Sequence, residues 1–158
     1  MKKTAVYPGT FDPVTLGHMD VIKASAAIFD EVVVGILINS NKKPMFPEGK
    51  RAIMIERAVR DSKITNVRVE IFNGLTVELA QQENALAIIR GLRLTTEYED
   101  ELGLIFNNMI LDGGIISVLI PPRQEHIHIS SSAVRELLKF GRQKLDKYVP
   151  PAVLEYLA

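Results

Sequence analysis

The chain has no cysteine and no tryptophan among its 158 residues, and aromatic residues make up only 6% of it. Without cysteine there is no disulfide, no thiolate metal site and no cysteine nucleophile, and the redox compartment is left undecided. Charge of neither sign prevails, since 19 Lys and Arg stand against 19 Asp and Glu. No global positive field draws a nucleic acid, although a local basic site is allowed. No apolar run approaches the ~18 residues that a membrane span requires. No apolar h-region with a small-residue cleavage site opens the chain. The expectation is a cytoplasmic protein with no membrane and no nucleic-acid partner. Three familiar loops are missing as well. There is no G-x-G-x-x-G, no G-x-x-x-x-G-K-[ST] and no G-x-S-x-G, which sets aside a dinucleotide dehydrogenase, a P-loop kinase and an elbow-type hydrolase.

What is present is a hydrophobic fraction of 47%, enough for one core in one domain spanning residues 1–158. Short β-branched runs lie at Thr4–Tyr7, Val32–Ile38, Val67–Phe72, Ala85–Arg90 and Ile115–Ile120. Several are almost unbroken apolar, as strands covered on both faces are. Segments of helical period fall between them, at Gly17–Phe29, Glu48–Asp61, Thr76–Gln82, Thr95–Leu111 and Ser131–Phe140. Met19, Ile22, Ala26 and Phe29 share one stripe of the first, and Val134, Leu137 and Leu138 one stripe of the last, which Gly141 is suited to stop. A short helix near Pro150-Pro151 is expected within Leu145–Leu157. The alternation predicts an α/β fold: a doubly wound, Rossmann-like domain with a five-stranded parallel sheet, right-handed crossovers and helices on both faces. The apolar face at Leu102, Ile105, Phe106 and Met109 suits either core or a subunit interface, core being the commoner use.

The most informative stretch is Tyr7-Pro8-Gly9-Thr10-Phe11-Asp12-Pro13-Val14-Thr15-Leu16-Gly17-His18. It reads as a strand, a Gly/Pro-punctuated loop and a helix N-terminus bearing a histidine and two threonines, a setting suited to phosphate. Ligands of open parallel sheets bind beyond the carboxyl ends of the strands. There the other strands deliver Asn39-Ser40-Asn41-Lys42-Lys43-Pro44, Asn73-Gly74-Leu75-Thr76, Arg90-Gly91-Leu92-Arg93, and Pro121-Pro122-Arg123 followed by His126-Ile127-His128-Ile129-Ser130-Ser131-Ser132. Together they read as a polyphosphate site. Arg90 and Arg93 suit bidentate phosphate contacts, Lys42 a point charge, and Gly91 a close backbone approach. Each has a plainer reading. Arg90 and Arg93 also suit surface ion pairs, although Arg90 ends a buried strand where an unpaired charge is costly. One serine of Ser130–Ser132 suits a helix cap, leaving the others to donate to a phosphate. Glu97, Glu99, Asp100 and Glu101 suit a solvated helix face, one of them free to hold a nucleotide. His126 and His128, if on a strand, point one way, but no further metal ligand is evident. Met45 and Phe46 suit loop packing.

The first stretch resembles the first signature of the nucleotidylyltransferase superfamily. With Lys42-Lys43-Pro44, Ile89-Arg90-Gly91-Leu92-Arg93 and Ile129-Ser130-Ser131-Ser132, essentially the whole chain resembles the bacterial phosphopantetheine adenylyltransferases. The resemblance implies transfer of AMP from ATP to 4′-phosphopantetheine, giving dephospho-coenzyme A and pyrophosphate, the penultimate step of coenzyme A biosynthesis. It implies His18, Lys42 and Arg90 as catalytic residues. ATP contacts would come from Thr10, Phe11, His18, Gly91, Leu92, Arg93, Glu101 and the run His126, Ile127, His128, Ile129, Ser130, Ser131 and Ser132. Thr10, Lys42, Thr76 and Arg90 would hold phosphopantetheine. It further implies Mg²⁺ carried on the ATP phosphates, with no protein metal ligands, and a homohexamer. The family usually has an aromatic, a serine and another aromatic before Ile129, where this chain has His126, Ile127 and His128. Alternatives are a nicotinate-mononucleotide adenylyltransferase, a polyol-phosphate cytidylyltransferase, or a non-catalytic ATP-binding module.

Overall fold

The computed structural model describes residues 1–141 and 144–157. In chain order its main elements are β1 (Thr4–Gly9), α1 (Leu16–Ile28), β2 (Glu31–Leu37), α2 (Glu48–Asp61), β3 (Val67–Phe72), α3 (Thr76–Gln82), β4 (Ala87–Gly91), α4 (Tyr98–Leu111), β5 (Ile116–Ile120), α5 (Ser131–Phe140) and α6 (Pro151–Leu154). The five strands form one sheet in the order β3-β2-β1-β4-β5. All pairs are parallel, Thr4 to Gly9 running beside Glu31 to Ile36 and Ala5-Val6 beside Ala87-Ile88. The α/β doubly wound expectation is met. Strand order reverses between β1 and β4, so their carboxyl ends frame the crevice where ligands of such sheets bind.

Side-chain alternation along the central strands explains the two layers. Ala5, Tyr7, Val32, Val34, Ile36, Ala87 and Ile89 face the larger cluster, closed by Val21, Ile22, Met54, Ile55, Val134 and Val153. Val6, Val33 and Ile88 point the other way, onto Val77, Leu79 and Ala80 of α3. Helices therefore cover both faces, but unequally. Nothing on α4 is buried, and Phe106, Met109, Ile110 and Leu111 are more than half exposed. The core reading of the Leu102–Met109 face is thus not what this chain shows.

Strand and helix bounds agree with the sequence reading to within a few residues. The segment read as a helix from Thr95 begins as a 3-10 turn at Thr95–Glu97 and becomes α4 only at Tyr98. Residues 126–128 belong to no strand. Gln124–His126 is a 3-10 turn, so the two histidines do not share a face.

Candidate active site at the carboxyl rim of the sheet

The β1–α1 loop is shaped by its own side chains. Thr15 caps α1, its Oγ1 accepting the His18 N–H at 3.3 Å, while the Thr15 N–H donates to His18 Nδ1 at 3.0 Å. The T-x-x-H spacing is thus a capping box in which imidazole replaces the usual carboxylate. Because Nδ1 accepts, the neutral ring carries its proton on Nε2. Burial, with the Arg93 guanidinium as a second cause, pushes His18 down from 6.5 to about 4. At neutral pH it is an uncharged N–H donor. Phe11 meets the ring edge-on, centroids 4.9 Å apart, and holds a left-handed φ of 50°. Gly9 makes room for it, since a Cβ there would stand 2.9 Å from the Phe11 ring.

Two charged residues moor the neighbouring loop. The buried Asp12 carboxylate accepts the Met45 and Phe46 N–H groups at 2.8 and 2.9 Å. Arg51, 3% exposed, donates from Nε to the Phe46 carbonyl at 2.9 Å and from Nη1 to the Thr10 carbonyl at 2.6 Å. Phe46 is buried as packing, its ring under the Lys50 ammonium at 5.0 Å. Lys42 stays exposed beside Thr10. The two line a cavity of about 210 Å³ with Asn39, Pro44 and Arg51, and another of about 290 Å³ with Asp12, Lys43 and Arg135. The larger recess of about 670 Å³ lies at the opposite rim, against Lys3, Thr4 and Leu86, and holds none of the residues nominated above.

At the end of β4, Arg90 is not unpaired. Its Nε and Nη2 donate to the two oxygens of Glu101 on α4, at 2.7 and 3.1 Å. This side-on grip leaves both Nη1 protons and one Nη2 proton for an anion. Glu101, nominated for the nucleotide, orients Arg90 here. Arg93 is spoken for as well, bonding Glu97 at 2.6 Å and the Ile129 carbonyl at 2.7 Å. The acidic run thus splits by function: Glu97 and Glu101 hold arginines, while Glu99 and Asp100 stay exposed. A Cβ on Gly91 would lie 3.3 Å from the Tyr7 hydroxyl, so glycine lets β4 close onto β1 at the crevice.

The last strand brings up the serines. Ser130 Oγ caps α5 by accepting the Ala133 N–H at 3.1 Å. The other two are not both free. Ser131 Oγ donates to the Pro13 carbonyl at 2.8 Å, and Ser132 Oγ accepts from Arg135, which also reaches the Asp12 carbonyl at 2.7 Å. These bonds tie the start of α5 to the first loop. His126 Nδ1 lies 2.6 Å from Asp20, and His128 meets Tyr148 edge-on at 6.3 Å. The structure thus brings Thr10, Phe11 and His18 of the first loop and helix to one rim with Arg93 and Ile129–Ser132, the Ser131–Pro13 bond joining the two sides, with Arg90-Gly91 on the adjoining strand and Lys42 on the adjoining loop. Leu92 follows, its N–H donating to the Ile120 carbonyl at 3.1 Å. Thr76 opens α3, which follows the edge strand β3 and packs on Val6, Val33 and Ile88 of the central strands.

The cytidylyltransferase-like family profile matches residues 6–137. A phosphopantetheine adenylyltransferase of Heliobacterium modesticaldum is 45% identical over 98% of this chain and 90% of its own. One from Synechocystis is 41% identical over 95% and 92%. The chain belongs to the phosphopantetheine adenylyltransferase family. A solved nicotinic acid mononucleotide adenylyltransferase of Plasmodium falciparum, complexed with NaAD, superposes with a TM-score of 0.75 at 18% identity, over 99% of this chain and 96% of that one. That likeness concerns the fold alone.

Within this phosphopantetheine adenylyltransferase fold, sequence reasoning overlooked Arg51, Asp12, Arg135 and Asp20. Asp12 and Asp20 fall in or beside the first motif, where a buried carboxylate implies donors to find. Arg51 and Arg135 sit on helices with nothing in the sequence to separate them from exposed arginines.

Proposed function

We propose that the chain transfers AMP from ATP to 4′-phosphopantetheine, releasing pyrophosphate and giving dephospho-coenzyme A. The observation that carries this reading is His18, whose Nδ1 is taken by the Thr15 N–H so that Nε2–H is left as a donor, at the same rim as Arg90, Arg93 and the α5 N-terminus, where strand order reverses in a fold of this family. A phosphate oxygen of phosphopantetheine attacks the α-phosphorus in line. A new O–P bond forms, the bond to the β-phosphate oxygen breaks, and pyrophosphate leaves with that electron pair. The attacking phosphate is already anionic, so no strong base is needed, and the protein supplies position and charge. His18 Nε2–H stabilises the crowded α-phosphate oxygens. Arg90, oriented by Glu101, holds the acceptor phosphate with Lys42, Thr10 and Thr76. Phe11, Gly91 to Arg93 and the stretch from His126 to Ser132 hold ATP, Ser130 and Ser131 mainly through backbone at the α5 N-terminus.

Among the described residues no three His, Asp or Glu side chains form a metal cage. The rim's cations and N–H groups suit a polyphosphate, and Mg²⁺ would arrive bound to its oxygens, neutralising their charge. The exposed apolar face of α4 supports self-association, and we propose a homohexamer working in the cytoplasm. No helix among the described residues is long and apolar enough to cross a membrane.

The test is pyrophosphate release with ATP and, in parallel, 4′-phosphopantetheine, nicotinate mononucleotide or glycerol 3-phosphate. Turnover with the first alone is expected. Turnover with another acceptor moves the activity elsewhere in the superfamily, and ATP binding without release with any of them means a sensing module.

A further inference from the structure

The segment between β5 and α5 crosses the first turns of α1, and one carboxylate of α1 receives it. Asp20 Oδ2 accepts the Arg123 backbone N–H at 3.0 Å and meets His126 Nδ1 at 2.6 Å. Its side chain is 9% exposed and that of His126 is 20% exposed. A carboxylate only accepts, so Nδ1 carries the proton and His126 spends that donor on Asp20. Nearby, the His126 carbonyl accepts the Ile129 N–H at 3.0 Å, and Arg93 holds the Ile129 carbonyl at 2.7 Å. A Cβ on Gly17 would stand 3.7 Å from the same His126 carbonyl, so the turn rests on the helix that carries His18. The segment is thus fastened at two points. Asp20 grips its start and Arg93 its end.

We infer that Asp20 is a positioning residue for the nucleotide: acting through Arg123 and the His126 imidazole, it sets the backbone from His126 to Ser132 at the height of the α5 N-terminus. The inference rests on the reading of that stretch as the ATP-binding side of the rim. It gives the His126 imidazole a task, since its Nδ1–H is the donor that couples the turn to Asp20. His126 acts by anchoring the turn, not by touching the base.

The test uses the full-length enzyme, with pyrophosphate release followed at varied ATP and varied 4′-phosphopantetheine. Wild-type turnover comes first, because without it the functional reading itself fails, apart from this inference. Asp20→Ala is expected to raise KM for ATP about tenfold, the scale of losing a charge-assisted pair of hydrogen bonds. KM for phosphopantetheine should stay within about twofold, because the acceptor side is not fastened by Asp20. His126→Ala should raise KM for ATP by a smaller factor, and adding it to Asp20→Ala should raise it no further. His126→Asn, whose amide N–H stands near the place of Nδ1–H, should restore it. An unchanged KM for ATP in Asp20→Ala, an equal rise for both substrates, or multiplicative effects in the double variant would each overturn the assignment. Should Asp20→Ala not fold, Asp20→Asn and the two His126 variants carry the same test. His126→Asn behaving like His126→Ala would then refute it.

Discussion

His18 makes stability depend on pH in a direction opposite to that of most histidines that gain a partner. The half-buried ring is pushed from 6.5 to about 4, burial being the first cause and Arg93 the second. In the unfolded chain the imidazole takes up a proton near 6.5, and in the folded chain it resists until about 4. The unfolded state binds more protons throughout that window. Stability is therefore complete above 6.5 and declines as pH falls toward 4, below which no more is lost. Each unit of the interval corresponds to about 1.4 kcal/mol. With the ring partly open to solvent, about 2 kcal/mol is lost between pH 7.5 and 4.5. The comparison is His18→Asn, whose amide oxygen replaces Nδ1 as acceptor for the Thr15 N–H but does not titrate. Urea unfolding of both proteins at the two pH values isolates the ring. At a slope of about 2 kcal/mol per molar, the wild-type midpoint should fall about 1 M further than the variant's. Parallel shifts would refute the argument, meaning that His18 keeps an ordinary affinity for protons. The same reasoning expects no step near 6.5 attributable to this residue in kcat against pH.

Arg90→Ala should weaken phosphopantetheine binding more than ATP binding by calorimetry, and the reverse order would remove Arg90 from the acceptor site. Arg51→Met strips a charged donor from the Thr10 and Phe46 carbonyls and should cost about 3 kcal/mol, lowering Tm by about 6–12 °C. A melt within about 2 °C of wild type would show that water replaces the guanidinium without loss. Replacing Phe106 and Ile110 of α4 with glutamate tests the proposed homohexamer: sedimentation should shift to smaller species than wild type, and an unaltered sedimentation coefficient would mean that this face lies outside any contacts.

Much of the fold was legible because its strands and helices are separated by period. Val32–Val34 and Ile88-Ile89 are unbroken apolar because the sheet is covered on both faces, and the Gly/Pro-marked turns fall where the strands end. The rim was legible for the same reason, since parallel strands carry every following loop to one edge. What stayed hidden depends on which side chains meet across the chain. Arg90 invites a ligand when read alone, and only the return of α4 shows Glu101 beside it. His126-Ile127-His128 alternates like a strand, yet Arg123 and Asp20 fold it into a turn. The α4 pattern repeats with helical period whether its apolar face meets a core or another subunit, so periodicity could not tell the two apart.

The Asp12 carboxylate has a further consequence for how this chain can vary. By taking the Met45 and Phe46 N–H groups, it anchors the incoming end of α2 to the first loop, while the tip from Asn39 to Lys43 lies exposed ahead of the anchor. Residues inserted into or deleted from that tip leave the anchor in place and change where Lys42 stands, at the modest entropic cost of a longer surface loop. A length change between Met45 and Arg51 would unseat both the anchor and the arginine that holds Thr10. Room to reshape what the acceptor side admits is therefore confined to a few positions on one side of Met45.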